Sequence, residues 1–192
     1  MSHGAGHGVV EGDNKKIAIL ISVLALFLAI AETLGKSAQT DALSSNVEAS
    51  NLWAFYQAKT IRKTTMETAA EQMEVDLALA RDPVVKDLLD KRIQAWRARA
   101  ATYESEPKAD GKGEGRKELM ARALAAEKKR DLAMAKYHHF EYGSAAFQIA
   151  IVLASSFLIT GVFYLLWGAC GVGILGVLFT AIGLLAPNLH LF

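Results

Sequence analysis

Hydrophobic positions are concentrated in two parts of the chain, and charged positions lie almost entirely between them. Residues 17–34 contain one charge, Glu32, and residues 145–186 contain none. A bilayer core of about 30 Å needs roughly 20 helical residues to cross it, so the first part has the length of one span and the second the length of two. The pattern predicts an all-α membrane protein with three transmembrane helices. A cleaved signal peptide is the alternative for the first span, because residues 29–31 resemble a cleavage site, but the apolar stretch is longer than a usual signal core.

The segment between the first and second spans has the composition of helices. Residues 37–81 contain no Pro and no Gly and are rich in Ala, Gln, Glu, Lys, Leu and Met, which favours one long helix. Asp82 can cap a second helix that begins at Pro83, where the missing N–H costs nothing. A break of glycines and charges at residues 108–115 precedes a third helix. The predicted helices cover residues 37–81, 83–104 and 116–142.

The predicted organisation consists of two tails, three spans and an extramembrane stalk. Residues 1–16 are predicted to be a mobile tail and residues 187–192 a short C-terminal tail. The spans are residues 17–35, 145–167 and 168–186, and the stalk is residues 36–144. At 1.5 Å per residue the first stalk helix is about 67 Å long, and the other two together are about 73 Å long. We therefore favour an elongated, coiled-coil-like helical hairpin, in which the two shorter helices return end to end along the first. A compact three-helix bundle is the alternative.

The apolar residues of the first stalk helix lie on two neighbouring arcs of its surface. Together the arcs cover more than half of the circumference, which is wider than one antiparallel partner requires, so we expect a second neighbour. The first arc contains Leu43, Val47, Ala54, Ala58, Ile61, Val75 and Leu79, and the second contains Leu52, Phe55, Met66, Ala69, Ala70, Met73 and Leu77.

Three aromatic residues occur within four positions of this helix. A membrane-interface belt is excluded for Trp53, because it lies about 28 Å beyond the first span if the helix is continuous. Phe55 is predicted to be core of the stalk, since it belongs to the second arc. Trp53 and Tyr56 lie outside both arcs among charged residues, so we expect them to contact another protomer or protein. The alternative is that a loop or the middle helix of the same chain covers them.

Charge and cysteine content exclude several classes of function. The segment between the first and second spans contains 19 of the 21 Lys and Arg and 17 of the 20 acids, so the net charge is close to zero. This balance indicates an ion-paired, solvated surface and gives no sign of a nucleic-acid partner. The single cysteine, Cys170, lies in the apolar region, so neither a disulfide framework nor a thiol metal cluster is expected.

Four stretches of the sequence resemble a family of small bacterial inner-membrane proteins. They are AETLGKSAQT (31–40), VEASNLWAFYQAKTIR (47–62), EGRKEL (114–119) and KYHHFEYGSA (136–145). The family is known as the domain of unknown function four-three-three-seven, and the resemblance covers the chain from residue 17 to the C-terminus. It implies a bacterial inner-membrane protein with no assigned activity, and it transfers no catalytic residues.

For the remaining candidate residues, a structural role is expected rather than metal binding or ion transport. His138 and Glu141 share a helix face, but we expect them and His139 to form part of a membrane interface rather than a metal site. Glu32 lies four residues before Lys36, which favours ion pairing near the boundary over a proton or ion site.

Glycines and other small residues give the third span a surface suited to close helix packing. Gly173 and Gly176 are the candidate interaction residues there, and exposure to lipid is the alternative. No nucleotide-binding, nucleophile or metalloprotease motif occurs in the sequence. We therefore expect no enzymatic activity, no cofactor and no bound metal.

The leading functional hypothesis is a structural membrane protein that self-associates, through its stalk and its glycine-rich third span, into a homo-oligomeric scaffold, ring or cage. Its expected partners are membrane lipid and further copies of the chain. The alternatives are an adaptor that offers Trp53 and Tyr56 to another membrane protein, and a small channel or transport component that uses Glu32. Lys15 and Lys16 argue for a cytoplasmic N-terminus, whereas lysines and arginines near the stalk ends favour, weakly, a cytoplasmic stalk.

Overall fold

The computed structural model describes residues 7–109, 111 and 113–189, with side chains from residue 15 onward. Over these residues the protein is all-α, as the sequence predicts, and contains four helices. They are α1 (His7–Leu79), α2 (Pro83–Glu104), α3 (Arg116–Thr160) and α4 (Phe163–Leu185). Three of them, α1, α3 and α4, are long and apolar enough to cross a membrane. This agrees with the three predicted spans.

The first helix continues without interruption from the apolar stretch into the charged segment. It passes through Gly35, where a Cβ atom would come within 3.5 Å of the Cβ atom of Phe140. Its described start at His7 lies within the predicted N-terminal tail, 1–16, of which residues 1–6 lie outside the described part. The helix ends before the predicted cap, in which the Asp82 carboxylate accepts a hydrogen bond of 2.7 Å from the backbone N–H of Val84.

The connection between the last two apolar helices differs from the prediction. We expected the turn at Trp167. The second apolar helix instead ends earlier, at Thr160, and the chain turns at Gly161. Gly161 has a φ of +70°, a left-handed conformation that glycine adopts without the steric cost of a Cβ atom. Trp167 instead lies within α4, with its side chain mostly exposed. The third apolar helix therefore begins earlier than the predicted residue 168.

The chain divides into two compact units. We call residues 1–43 and 130–192 the apolar unit and residues 44–129 the hairpin unit. In the apolar unit, the core contains Leu24 and Ala31 from α1 and Phe147 and Ala150 from α3. Phe147 is completely buried in this core.

In the hairpin unit, α2 and the beginning of α3 pack in succession along α1. Arg97 of α2 pairs with Glu74 of α1, and Glu104 accepts a hydrogen bond from Lys63 nearer to the start of the unit. The following helix then contacts α1 through Arg116. Within this unit the arrangement is therefore the end-to-end helical return that we favoured over a compact three-helix bundle.

Burial along α1 in the hairpin unit repeats every seven residues. Ala49 and Ala70 are buried, and Tyr56, Lys63 and Leu77 are half-buried at the intervening and following positions. This spacing keeps one side of a helix against its neighbour, as in a coiled coil. On the opposite side of α1, the side chains are exposed among the described residues of this unit.

Candidate interaction surface

A chain of hydrogen bonds joins all three helices of the hairpin unit. The Tyr56 hydroxyl accepts a hydrogen bond of 2.9 Å from Arg116, whose guanidinium also donates to Glu104 at 2.8 Å. Lys63 donates to the same Glu104 oxygen at 2.8 Å. The Arg116 guanidinium also lies 5.0 Å from the centre of the Tyr56 ring, so it makes both a hydrogen bond and a cation–π contact there.

The charges in this chain shift one another's pKa values. The hydrogen bond from Lys63, with the nearby positive charge of Arg116, lowers the pKa of Glu104 below its ordinary value. The same hydrogen bond raises the pKa of Lys63, and the contact with Tyr56 raises that of Arg116. Each shift favours the charged form, so the three groups remain ionised over the whole neutral range.

Trp53 is covered by α3 of the same chain. Its indole N–H donates a hydrogen bond of 2.9 Å to Glu127, and its ring meets the Tyr56 ring edge-on at 5.5 Å between centroids. Both rings pack on a buried cluster formed by Ala49, Leu52, Leu119, Ala123 and Ala126. The expectation that Trp53 and Tyr56 face another protein is therefore wrong. The covering element is α3, whereas the sequence-based alternative considered only a loop or the middle helix.

Phe55 occupies the opposite kind of environment from the one predicted. We expected it in the stalk core, but 62% of its surface is exposed. The side of α1 that contains Trp53 and Tyr56 faces the returning helices, and α3 supplies hydrogen-bonding partners to both polar groups of these rings. Phe55 has no polar group to satisfy and lies at the edge of that contact, with most of its side chain exposed to solvent.

An open groove lies beside Phe55 on the surface of the hairpin unit. Its volume is about 720 Å³, and it lies between α1 and the beginning of α3. Its walls combine apolar and charged side chains. They include Val47, Glu48, Leu52, Phe55, Lys59, Arg62, Leu119 and Arg122.

The uncovered side of α1 is the first of the two apolar arcs predicted from the sequence. Val47, Ile61, Val75 and Leu79 are each more than half exposed. We define the outer α1 face as ten exposed residues spaced alternately four and three apart. They are Val47, Asn51, Ala54, Ala58, Ile61, Thr65, Thr68, Gln72, Val75 and Leu79. A seam with this spacing has the geometry that another helix requires.

The loop between α2 and α3 is held by Glu118. Its carboxylate accepts hydrogen bonds from the Ser105 hydroxyl at 2.6 Å and from the backbone N–H of Glu106 at 3.2 Å. These bonds, led by the one from Ser105, lower the pKa of Glu118. Gly115 lies so close to Glu118 and Ser105 that a Cβ atom there would overlap them. The loop therefore depends on both the carboxylate and the glycine.

The predicted small-residue surface of α4 is used inside the chain. A Cβ atom on Gly173 would lie 2.9 Å from Leu24 of α1, and one on Gly176 would lie 2.8 Å from the Phe147 ring of α3. Both glycines are buried. Their predicted role in close helix packing fits these contacts, whereas exposure to lipid does not. The contacts are intramolecular, so they provide no surface for a second copy.

The polar candidate residues of the apolar unit, Glu32, His138 and Glu141, take part in pairwise contacts. Glu32 accepts a hydrogen bond of 3.3 Å from Gln148, and the expected pairing with Lys36 is not among its contacts in the described residues. His138 lies 3.7 Å from Glu141, while the Nδ1 atom of the buried His139 has no hydrogen-bond partner in the described part of the chain. No group of three or more His, Cys, Asp or Glu side chains suited to a metal ion occurs among the residues that the structure describes.

These observations define an all-α protein that has three helices able to cross a membrane and a separate helical hairpin unit. The chain belongs to the family described as a domain of unknown function (DUF4337), whose model matches residues 13–186. This confirms the resemblance found in the sequence. No curated protein and no solved structure matches the chain.

Proposed function

We propose that the protein is a non-enzymatic structural component of the bacterial inner membrane that self-associates into a homo-oligomeric scaffold, ring or cage. The observation that carries this proposal is the outer α1 face, an exposed seam of six apolar and four polar residues with coiled-coil spacing. Helices in water bury such seams, because each apolar side chain removed from water contributes about 25 cal/mol per Å². The proposed contact therefore lies in the hairpin unit.

The structure changes which residues are expected to carry self-association. Phe55 and Ile61 take the place of Trp53 and Tyr56, since they are 62% and 67% exposed whereas the latter pair packs against α3. Gly173 is no longer expected to contact a second copy, because its surface packs against α1 of the same chain. Support for the proposal thus comes from one continuous surface rather than from two separate ones.

An adaptor in a larger membrane complex is the second candidate. The outer α1 face favours it in one respect, since Asn51, Thr65, Thr68 and Gln72 make the seam less apolar than a permanent core. A face of mixed polarity suits a partner that binds and leaves. The adaptor hypothesis predicts a single copy of the chain in the purified particle, whereas self-association predicts several.

The test compares two substitutions that each replace an exposed apolar residue by glutamate, one on α1 and one on α2. Ile61→Glu introduces a charge into the outer α1 face, and Leu88→Glu introduces the same charge at a residue of α2 that is 62% exposed. We expect the first variant to reduce the particle mass in mild detergent, because an unpaired charge in an apolar contact is costly. The second variant should keep the wild-type mass.

Equal masses for the wild type and both variants would contradict the proposed contact. A wild-type particle that contains one chain at every concentration tested would contradict self-association itself. Circular dichroism provides the folding control, since both substituted residues are exposed and their replacement should leave the helical content unchanged.

A further inference from the structure

The membrane-crossing part of α1 determines the direction in which two copies of the chain can meet. α1 runs from His7 to Leu79 without interruption, and it contains both the first apolar segment and the outer α1 face. Copies that are inserted into one membrane with the same orientation therefore present this face on helices that point in the same direction. A contact between two outer α1 faces in one membrane is consequently parallel.

The outer α1 face consists of two rows of residues, each with a spacing of seven. The first row contains Asn51, Ala58, Thr65, Gln72 and Leu79. The second row contains Val47, Ala54, Ile61, Thr68 and Val75. Each residue of the second row follows one of the first by three or precedes it by four, so the rows correspond to heptad positions a and d. In a parallel pair without an axial shift, every residue of these rows lies opposite its own counterpart.

The polar residues of the face are placed so that they select one register. Three of the four, Asn51, Thr65 and Gln72, belong to the first row. A carboxamide has both a donor and an acceptor, so it can hydrogen-bond to a second copy of itself. A shift of one heptad would instead set Asn51 against Ala58 and Gln72 against Leu79, where a buried amide without a partner is costly. A polar residue at position a has this effect on register in other coiled coils.

The residues that flank the face lie in the second shell of the same contact. Flanking positions five residues apart meet across a parallel coiled coil, so Arg62 of one copy lies beside the Gln57 amide of the other. The exposed Phe55 ring lies one heptad before Arg62 on the same edge. Glu71 of one copy lies beside Asp76 of the other, which gives the contact one unfavourable pair of like charges.

The face has enough area for a specific contact between copies held in one membrane. From Val47 to Leu79 it extends about 48 Å, and a helix is about 10 Å wide. One pair of helices would therefore bury about 1,000 Å² in total, which is the lower bound for a specific interface. Copies in one membrane lose less freedom on association than copies in solution, so this area is sufficient for them.

We propose that neighbouring copies of the chain pack outer α1 face against outer α1 face in parallel and in register, with Asn51, Thr65 and Gln72 each opposite its counterpart in a second copy. The axis that relates the two copies runs along α1, which is the arrangement that one membrane allows. This inference rests on the proposed self-association and adds the orientation, the register and the residues that determine them.

Cysteine cross-linking in the full-length protein tests the register. The background is Cys170→Ser, which removes the single native thiol. Copies with Ala58→Cys and copies with Thr65→Cys carry tags of different mass and are mixed in mild detergent before oxidation. Both residues are exposed and lie about 10 Å apart along the helix. An in-register pair yields only the two like products, whereas a shift of one heptad yields the mixed product. Lys86→Cys on α2 measures cross-linking by chance collision.

A new charge on the edge of the face tests the flanking contacts. We expect Gln57→Glu to tighten association roughly fivefold, because it creates ion pairs with Arg62 across the contact. In the background of Arg62→Gln, the same substitution should give no gain. Asp76→Asn should also tighten association, since it removes the repulsion by Glu71. Energy transfer between labelled copies, measured at increasing dilution in mild detergent, gives the affinity, and Lys86→Gln on α2 serves as the control.

The outcomes separate this inference from the proposed function. Like products alone, together with a gain from Gln57→Glu that depends on Arg62, support the parallel contact in register. An oligomeric particle overturns the contact and leaves self-association standing if it gives the mixed product, no product above the level of Lys86→Cys, or no gain from Gln57→Glu. A particle that contains one chain and gives no cross-linked product overturns both. Circular dichroism provides the folding control, because all the substituted residues of α1 and α2 are exposed.

Discussion

Replacing Trp53 and Phe55 separately distinguishes the inner side of α1 from its outer face. Trp53→Ala removes a ring that is packed on the buried cluster and donates a hydrogen bond of 2.9 Å to Glu127. Truncating a fully buried Trp costs about 3–5 kcal/mol, and a hydrogen bond to a charged group contributes about 1.5–3 kcal/mol. Because Trp53 is only half-buried, we expect a loss of about 2–4 kcal/mol in the free energy of unfolding, at unchanged particle mass.

Phe55→Ala should give the opposite result. The ring is 62% exposed, so its truncation should change the free energy of unfolding by less than about 0.5 kcal/mol. It should, however, reduce the particle mass, since the exposed ring lies beside the outer α1 face, which carries the proposed contact between copies. Thermal unfolding followed by circular dichroism measures the first effect, and light scattering in the same detergent measures the second.

A stable Trp53→Ala variant combined with a smaller particle would refute this assignment of the two sides. So would a Phe55→Ala variant that unfolds at a markedly lower temperature. Trp53→Phe is the matched control for packing, because it keeps most of the ring contact and removes only the hydrogen bond to Glu127. We expect it to lose about 1–2 kcal/mol.

Two further predictions concern packing in the apolar unit and the pH dependence of the hairpin unit. Gly176→Ala should lower the thermal stability by about 1–2 kcal/mol, because its Cβ atom would lie 2.8 Å from the buried Phe147 ring. Gly171→Ala, with no atom within 4 Å of its Cβ position, should be neutral or stabilising, and equal effects would contradict the packing. Glu118 has a pKa below its ordinary value of 4.5 in the folded chain, so its stabilising effect is complete above pH 4.5 and is lost as the pH decreases through the lowered pKa. Glu118→Gln should flatten the acid part of the stability profile measured by urea unfolding, whereas Glu71→Gln should not, and identical profiles for the two variants would contradict the role of Glu118 in the loop.

The sequence predicts the helices better than it predicts their contacts. The three apolar helices follow from the thickness of a bilayer, and the start of α2 follows from Asp82 and Pro83, since capping depends on residues that are adjacent in the chain. The turn at Gly161 could not be located in the same way. Residues 145–186 contain no charged residue and several glycines, so neither a charge nor a single glycine marks the turn.

The positions of the aromatic side chains depended on partners distant in sequence. Trp53 and Tyr56 lie among charged residues of α1, a pattern that local periodicity associates with an exposed side. Their indole and hydroxyl groups are satisfied by Glu127 and Arg116 of α3. One signal was present in the sequence, because Arg116 and Glu127 are eleven residues apart and share a face of the third helix.

The chain's loop glycines and its charge balance gave less information about function than the uncovered face did. The outer α1 face was visible in the sequence as the first apolar arc, and the breadth of the two arcs predicted a second neighbour. The hairpin unit covers most of the second arc but not Phe55. The proposed self-association identifies the neighbour of the outer α1 face as a second copy of the chain.

The mass of the wild-type particle, extracted directly from the membrane with its surrounding lipid and measured without detergent exchange, tests self-association most directly. The proposed scaffold predicts a protein mass of two or more times the mass of one chain. In Ile61→Glu this mass should decrease towards that of one chain. A wild-type particle that contains one chain and no second protein would contradict both the scaffold and the adaptor. One chain together with a different protein would support the adaptor and contradict the scaffold.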